Sequence, residues 1–316
     1  MFADETPEAE GGASRNANET LAAVEGVTRR YARRTALENL AFTLRGGEVF
    51  GLVGANGGGK TTTLRILAGI LKPDAGRGRV LGFDLTRETN KIRERVGYMS
   101  QRFSLYGRLS VLENLRFRAS VYGLKRPREA AETAIDGFEL REYAHSPAGQ
   151  LSGGWARRLQ LAATLIHYPK LVLLDEPTAG LDALSRQQVW RHIGRLAADR
   201  VGVIVSTHDL AEAERCSHAA LLADGRVVAA GTPDQIAQSV SAVAFLISGA
   251  DARQMTHSVE AIRGVIASYP QGPNLRVVAG ASAEEAILRL AALHQAAVAR
   301  VAMRLEDAVL AFTGRS

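Results

Sequence analysis

The chain has 316 residues, 46% hydrophobic and 23% charged, enough to bury a sizeable core and long enough for one large domain plus something smaller. No run approaches the roughly 18 to 20 uninterrupted apolar residues that cross a bilayer. The most apolar stretch, around Leu159 to Leu174, is broken by Gln160, His167 and Lys170, so any membrane role is expected to be peripheral. The net charge of +6 is scattered over short clusters such as Arg29-Arg30, Arg33-Arg34 and Lys125-Arg126, which predicts solvated faces or the fringes of a nucleotide site and no nucleic-acid partner.

In chain order, residues 1–20 are acidic and rich in Gly, Ser and Asn, with neither a basic start nor an apolar stretch, and predict a disordered tail that is not a secretory signal. Leu21 to Thr28 and Ala36 to Leu44 alternate as strands do, with Arg45-Gly46-Gly47-Glu48 as the turn into a further strand. That strand, Val49 to Val53, runs straight into Gly54-Ala-Asn56-Gly57-Gly58-Gly59-Lys60-Thr61-Thr62, and a helix pattern follows from Thr62 to Leu71. The G-x-x-x-x-G-K-[ST] spacing fits a phosphate-binding loop. Its glycines let backbone N–H groups curve around an anion, Lys60 adds a point charge on the β/γ oxygens, and the Thr61 hydroxyl is a ligand for Mg²⁺.

From about Ser104 to Gln150 the periodicity becomes helical with polar faces, as in a helical subdomain inserted into an α/β core. Leu151-Ser152-Gly153-Gly154-Trp155 then sits just ahead of another helix-patterned run. Free N–H groups and the helix dipole make this a second anion grip. Lys170 to Asp175 is a buried strand ending in two carboxylates, of which Asp175 is suited to hold Mg²⁺ through water and Glu176 to take a proton from an attacking water. A helix over Leu184 to Ala198 and a strand over Arg200 to Ser206 follow; Cys216, the single cysteine, excludes an internal disulfide, fits a reducing cytoplasm and reads as a buried small hydrophobe.

Past Gly231-Thr232-Pro233 the pattern predicts strands at Ala242 to Ile247, Leu275 to Val278 and Ala297 to Met303, with helices at Glu260 to Ile266, Ala283 to His294 and Leu305 to Phe312.

The order of these motifs resembles the ATP-binding cassette (ABC) ATPases, the motor subunits of ABC transporters, over roughly Leu21 to Ile236. The resemblance implies an α/β fold: a P-loop NTPase core of ABC type with an antiparallel β subdomain, an inserted helical subdomain at about 104–160 and a small C-terminal α+β appendage. The expected domains are the tail at 1–20, the ATPase domain at 21–236 and an accessory domain at 237–316. By the same resemblance Tyr31 stacks on adenine, Gln101 links Mg²⁺ to the helical subdomain, Asp182 belongs to the D-loop (Ala179-Gly180-Leu181-Asp182), and His208 is the switch histidine. Ser152, Gly153 and Gly154 match the signature LSGGQ, which in this family closes over ATP held by a second cassette. Trp155 departs from the usual glutamine. Signatures ending in tryptophan are similar to those of the drug-exporter branch, and packing is the first expectation for Trp155, contact across the dimer interface the second.

The expected function is therefore an ATP-hydrolysing subunit of an ABC exporter, with ATP and Mg²⁺ as cofactors. Its expected partners are a second cassette, either a homodimer or a paired subunit, and an integral-membrane permease at the cytoplasmic face of the cell membrane. Arg102-Phe-Ser-Leu-Tyr106 is where the family receives a permease helix, with Leu105 as the expected contact, and ordinary packing at the start of a helix is the alternative. The rival readings are a soluble ABC ATPase acting on ribosomes or DNA, and a small-molecule kinase or GTPase. The first lacks support in the single cassette, and the second does not carry the signature.

Overall fold

The computed structural model of the protein describes residues 19–32, 34–249, 252 and 254–313. Residues 1–18 of the expected tail lie outside the described residues, whereas Thr20 already belongs to the first strand.

Along the chain, a hairpin of β1 (Thr20–Tyr31) and β2 (Arg34–Arg45) leads to β3 (Val49–Val53) and α1 (Lys60–Leu67). Next come β4 (Ala75–Val80), β5 (Phe83–Asp84), α2 (Thr89–Arg95) and β6 (Val96–Met99), then α3 (Val111–Val121), α4 (Pro127–Gly137) and α5 (Gly153–Leu165). The chain returns through β7 (Leu171–Asp175), α6 (Ala183–Ala198), β8 (Gly202–Thr207), α7 (Leu210–Ala213), β9 (His218–Ala223), β10 (Arg226–Gly231) and α8 (Pro233–Gln238). It ends with β11 (Val243–Ser248), α9 (Thr256–Glu260), β12 (Val265–Gln271), β13 (Asn274–Ala279), α10 (Glu284–Leu293), β14 (Ala297–Val301) and α11 (Leu305–Thr313).

Three sheets result, with strand orders β2-β1-β4-β5, β10-β9-β3-β8-β7-β6 and β12-β13-β11-β14. In the six-stranded sheet β3 runs parallel to β9, and β6 runs parallel to β7. Every residue of β3 and β7 is buried, which is why both read as unbroken apolar runs with no alternation. The hairpin β9–β10 turns through Asp224-Gly225, both at positive φ, the pair that a tight hairpin favours.

The chain divides into two compact units. One comprises residues up to Val27, Ala41–Val49 and Leu64–Ile204; the other comprises Thr28–Leu40, Phe50–Thr63 and the chain from Val205 on. Within the first, α3 and α4 pack on each other and on α5, and the expected helical insert is realised. A capping box at Ser110 and Glu113 starts α3, and Pro127 opens α4 at a position where its missing N–H costs nothing.

In the second unit the C-terminal sheet buries Phe245, Ile247, Leu275 and Val277 against Val259 of α9 and Ile287 and Ala291 of α10. The alternation of β13 turns Arg276 to the opposite face, where Asp307 of α11 meets it. Two expectations are corrected here. The helix foreseen from Glu260 to Ile266 ends at Glu260, because Gly264 takes a positive φ and the β-branched Val265-Ile266 opens the strand β12. Helix α1 stops at Leu67, with Gly69 in the left-handed region and Ile70 N–H bonded back to Arg65 O.

Candidate functional site

The glycine loop lies in the second unit. Its conformation depends on glycine at two close approaches: a Cβ on Gly54 would lie 2.2 Å from Leu222 O, and one on Gly59, at φ +101°, 2.6 Å from Ala36 O. Lys60 opens α1 and is buried, with its Nζ donating to Gly54 O at 2.7 Å and Ala55 O at 3.1 Å, so the ammonium is curled inside the loop. Gly58 is buried, with its N–H on Ala55 O, while Asn56 and Gly57 are exposed. Thr61 and Thr62 occupy the first turn of α1, and the Thr63 hydroxyl behind them donates to Gly59 O at 3.0 Å.

The same unit adds two further candidates. Tyr31 ends β1, is 43% exposed, and carries the Arg29 guanidinium 5.0 Å from its ring centre. His208 follows β8 directly and is exposed. Its loop is pinned on both sides: the Thr207 hydroxyl donates to the buried Glu212 at 2.7 Å and accepts from Asp209 N–H, while Gly54 N–H donates to Thr207 O. The glycine loop and the histidine loop are therefore joined by a main-chain hydrogen bond. Arg34, from one of the basic clusters, donates to Gly57 O at 2.9 Å.

In the first unit, β7 ends at Asp175 and Glu176, both buried. Glu176 has φ +47°, a left-handed conformation that is uncommon for a residue with a Cβ and that gathers at functional sites. Gln101 Nε2 donates to Glu176 Oε2 at 2.9 Å. Ser152 caps α5 through its backbone alone, with no side-chain capping bond, and Ser152 and Gly153 are exposed. Around Gly153 a Cβ would meet nothing within 4 Å, whereas one on Gly154 would lie 2.7 Å from Ser185 Oγ. Asp182 is the N-cap of α6, accepting from Ser185 N–H at 2.9 Å and from its hydroxyl at 2.7 Å; these bonds hold its carboxyl below the usual carboxylate range.

Trp155 packs within its own subdomain. Its ring lies 4.6 Å from that of Tyr143, and the Arg158 guanidinium stands 4.4 Å above it while pairing with Glu139. Leu105, the expected docking residue, is only half-exposed. The apolar surface nearby is formed by Phe103, Tyr106, Phe117 and Val121, with Tyr106 56% and Val121 60% exposed.

The sequence reading missed Arg157 and Gln160, although both fall on the helix that the LSGGW segment opens. Arg157 is buried and donates to Gln101 O and Glu176 O, each at 3.0 Å. Two adjacent arginines on a helix expected to face the core were the available signal.

The Thr61 hydroxyl of the second unit, and the Asp175 carboxylate and Gln101 amide oxygen of the first, are each hard oxygen donors of the kind Mg²⁺ takes. Among the described residues no cluster of three or more His, Cys, Asp or Glu could hold a metal ion.

A buried strand, a glycine cradle holding its lysine inward and a helix, together with acids at the end of a second buried strand, are the parts of a P-loop nucleotide-binding protein. A profile of the ABC transporter family matches residues 37–179. An Escherichia coli protein named as a probable multidrug ABC transporter ATP-binding protein is 40% identical over 226 residues, covering 71% of this chain and 39% of the relative. The chain thus spans about two fifths of that relative's length. The Nod factor export ATP-binding protein I of Ralstonia nicotianae is 33% identical over 93% of this chain and 94% of its own. A dimeric ATP-binding cassette solved in a post-hydrolysis state with ADP and phosphate superposes with a TM-score of 0.63 at 27% identity, covering 67% of this chain and 98% of the other. The chain belongs to the ABC transporter family, among its ATP-binding proteins. Among the described residues no helix is long and apolar enough to cross a membrane.

Proposed function

We propose that this protein is the ATP-hydrolysing subunit of an ABC exporter of small molecules, working as a pair of cassettes on the cytoplasmic face of the cell membrane beneath a permease. The observation that carries the hydrolytic role is the carboxylate of Glu176 at the end of β7, held by Gln101 on a strained backbone. The export role is supported by the names of the relatives and by the apolar surface at Tyr106, Phe117 and Val121.

In this reading Gly54, Asn56, Gly57, Gly58, Gly59, Lys60, Thr61 and Thr62 hold the phosphates of ATP, and Tyr31 stacks on its adenine. Thr61, Gln101 and, through water, Asp175 hold Mg²⁺, which when bound supplies positive charge opposite the phosphate oxygens. Glu176 accepts a proton from water as the water oxygen bonds to the γ-phosphorus, and the bond to the β–γ bridging oxygen breaks to give ADP and phosphate. Lys60 offsets the charge that develops on the oxygens, and His208 orients the γ-phosphate and water. Asp182, which caps α6 beside Gly154, belongs to the surface that meets the second cassette. Ser152, Gly153 and Gly154 reach the ATP of that second cassette. The unused capping capacity of Ser152 and the open space at Gly153 support that assignment.

Glu176→Gln is expected to lower steady-state ATP turnover about 100-fold or more while the chain still binds ATP and elutes as a dimer in its presence. Wild-type turnover in that variant overturns the role of Glu176. Purification of the intact protein with ribosomes or DNA, and without a multi-spanning membrane protein, overturns the export role.

A further inference from the structure

Arg157 is a buried cation whose hydrogen bonds, among the described residues, go to main-chain carbonyls and one side-chain amide. Nη1 donates to Gln101 O at 3.0 Å, to Gln160 Oε1 at 3.0 Å and weakly to Ser100 O at 3.4 Å, and Nη2 donates to Glu176 O at 3.0 Å. Gln160, one turn further along α5 and also buried, donates through Nε2 to Ser100 O and Arg102 O, both at 2.9 Å. The two residues thus clasp the loop Ser100–Arg102 from both sides. Arg157 also grips the carbonyls of the same two residues, Gln101 and Glu176, whose side chains bond to each other at 2.9 Å.

Burial lowers the affinity of this guanidinium for its proton, and the charges of Asp175 and Glu176 oppose that effect. A cation is taken out of water here, which is costly unless its donors are satisfied, and a planar fork satisfies them in a way a lysine cannot. The backbone of Glu176 is in the left-handed region, and its carbonyl is held by two donors, Arg157 Nη2 and the N–H of Ala179 at 3.2 Å. Arg157 stands one helical turn after Gly153 and Gly154, at the start of the same helix.

We propose that Arg157, seconded by Gln160, is a positioning residue for hydrolysis: it fixes Gln101 and Glu176 relative to α5, so that the placement of the LSGGW segment and of the catalytic carboxylate are set together. Displacement of the first turn of α5 moves the guanidinium, and with it the two carbonyls that orient the Gln101–Glu176 pair. This rests on the reading of Glu176 as the general base.

The test is a double-mutant cycle on the full chain, with kcat and KM for ATP measured for wild type, Arg157→Ala, Gln101→Ala and the double variant. Arg157→Ala is expected to lower kcat about 10- to 50-fold with KM changed less than about 3-fold, and Arg157→Lys to recover only part of the loss. In the Gln101→Ala background the further loss from Arg157→Ala is expected to shrink below about 3-fold, because the pair it positions is already broken. Losses that multiply, or a fall in kcat that only tracks the folded fraction in a denaturation curve, overturn the proposal. Should Arg157→Ala not fold, the same cycle with Arg157→Lys gives the same two outcomes. A wild-type chain that binds ATP without hydrolysing it instead overturns the hydrolytic reading itself.

Discussion

Trp155 stands where the family signature ends in glutamine, and its surroundings show what the larger side chain does. Its ring contacts both the Tyr143 ring and the Arg158 guanidinium, which Glu139 holds in place from a left-handed backbone. An aromatic pair and a cation over an indole face each contribute about 0.5–1.5 kcal/mol, so the first turn of α5 is fastened to the subdomain by its own tryptophan. Trp155→Gln is therefore expected to destabilise the chain by about 1–2 kcal/mol, read as a lowered denaturation midpoint, while kcat stays within about 3-fold. A much larger fall in ATP-induced dimer affinity, with the midpoint unchanged, would show that the indole works at the interface between cassettes.

At the scale of elements, α11 belongs to two environments at once. Leu305 and Ala308 complete a core with Val53, Ala213, Ala219, Leu221 and Ile236, and Val53 is the last residue before the glycine loop. On another face Asp307, fully buried, accepts from Arg276 at 2.6 Å and 2.9 Å, from Tyr269 hydroxyl at 2.7 Å and from Arg304 N–H at 2.7 Å. Burial pushes the Asp307 carboxyl up, but Arg276, the Arg304 N–H and Tyr269 together draw it below its ordinary value. A carboxyl depressed in the folded state stabilises fully above its unfolded pKa, and that stability drains away as pH falls through the folded value. Asp307→Asn is thus expected to cost roughly 3 kcal/mol near neutral pH and to flatten the acid side of the stability profile, as measured by denaturation from pH 7 down to about 3. Much of this element was legible in advance. The helix over Leu305 to Phe312 and the strand holding Arg276 both followed from periodicity, because each repeats apolar residues on one face. The Arg276–Asp307 pair did not, since a residue 31 positions away declares itself only through the packing of β13 against α11. The signal for β9–β10 was present in Asp224-Gly225, flanked by apolar runs, while β12 was obscured by Pro270 and by the helical spacing just before it.

On the scale of the whole molecule, the candidate machinery for ATP was largely written in the sequence, because phosphate chemistry demands particular residues at fixed spacing: glycines, Lys60, and acids at a strand end. What spacing does not specify is surface. Of the scattered basic residues, Arg126 forms an exposed ion pair with Glu129, and Arg77–Glu25, Arg141–Asp136 and Arg226–Glu38 are further exposed ion pairs. The apolar surface, by contrast, is built. Asn114, buried on α3, accepts from Tyr106 N–H and donates to the carbonyls of Tyr106, Leu109 and Ser110, so the loop that presents Tyr106 is fixed from beneath. Tyr106 then meets Phe117 edge to face at 5.2 Å, and Val121 lies one turn beyond on the same helix face. Under the proposed function, this ordered and exposed aromatic pair is the surface on which an apolar helix of the membrane partner docks. Tyr106→Glu is expected to leave ATP turnover of the purified chain within about 2-fold, since its exposed ring packs on Phe117, and to abolish co-purification with that partner. Loss of turnover together with partner binding would instead assign Tyr106 a role in folding, and the docking surface would have to be sought elsewhere on the molecule.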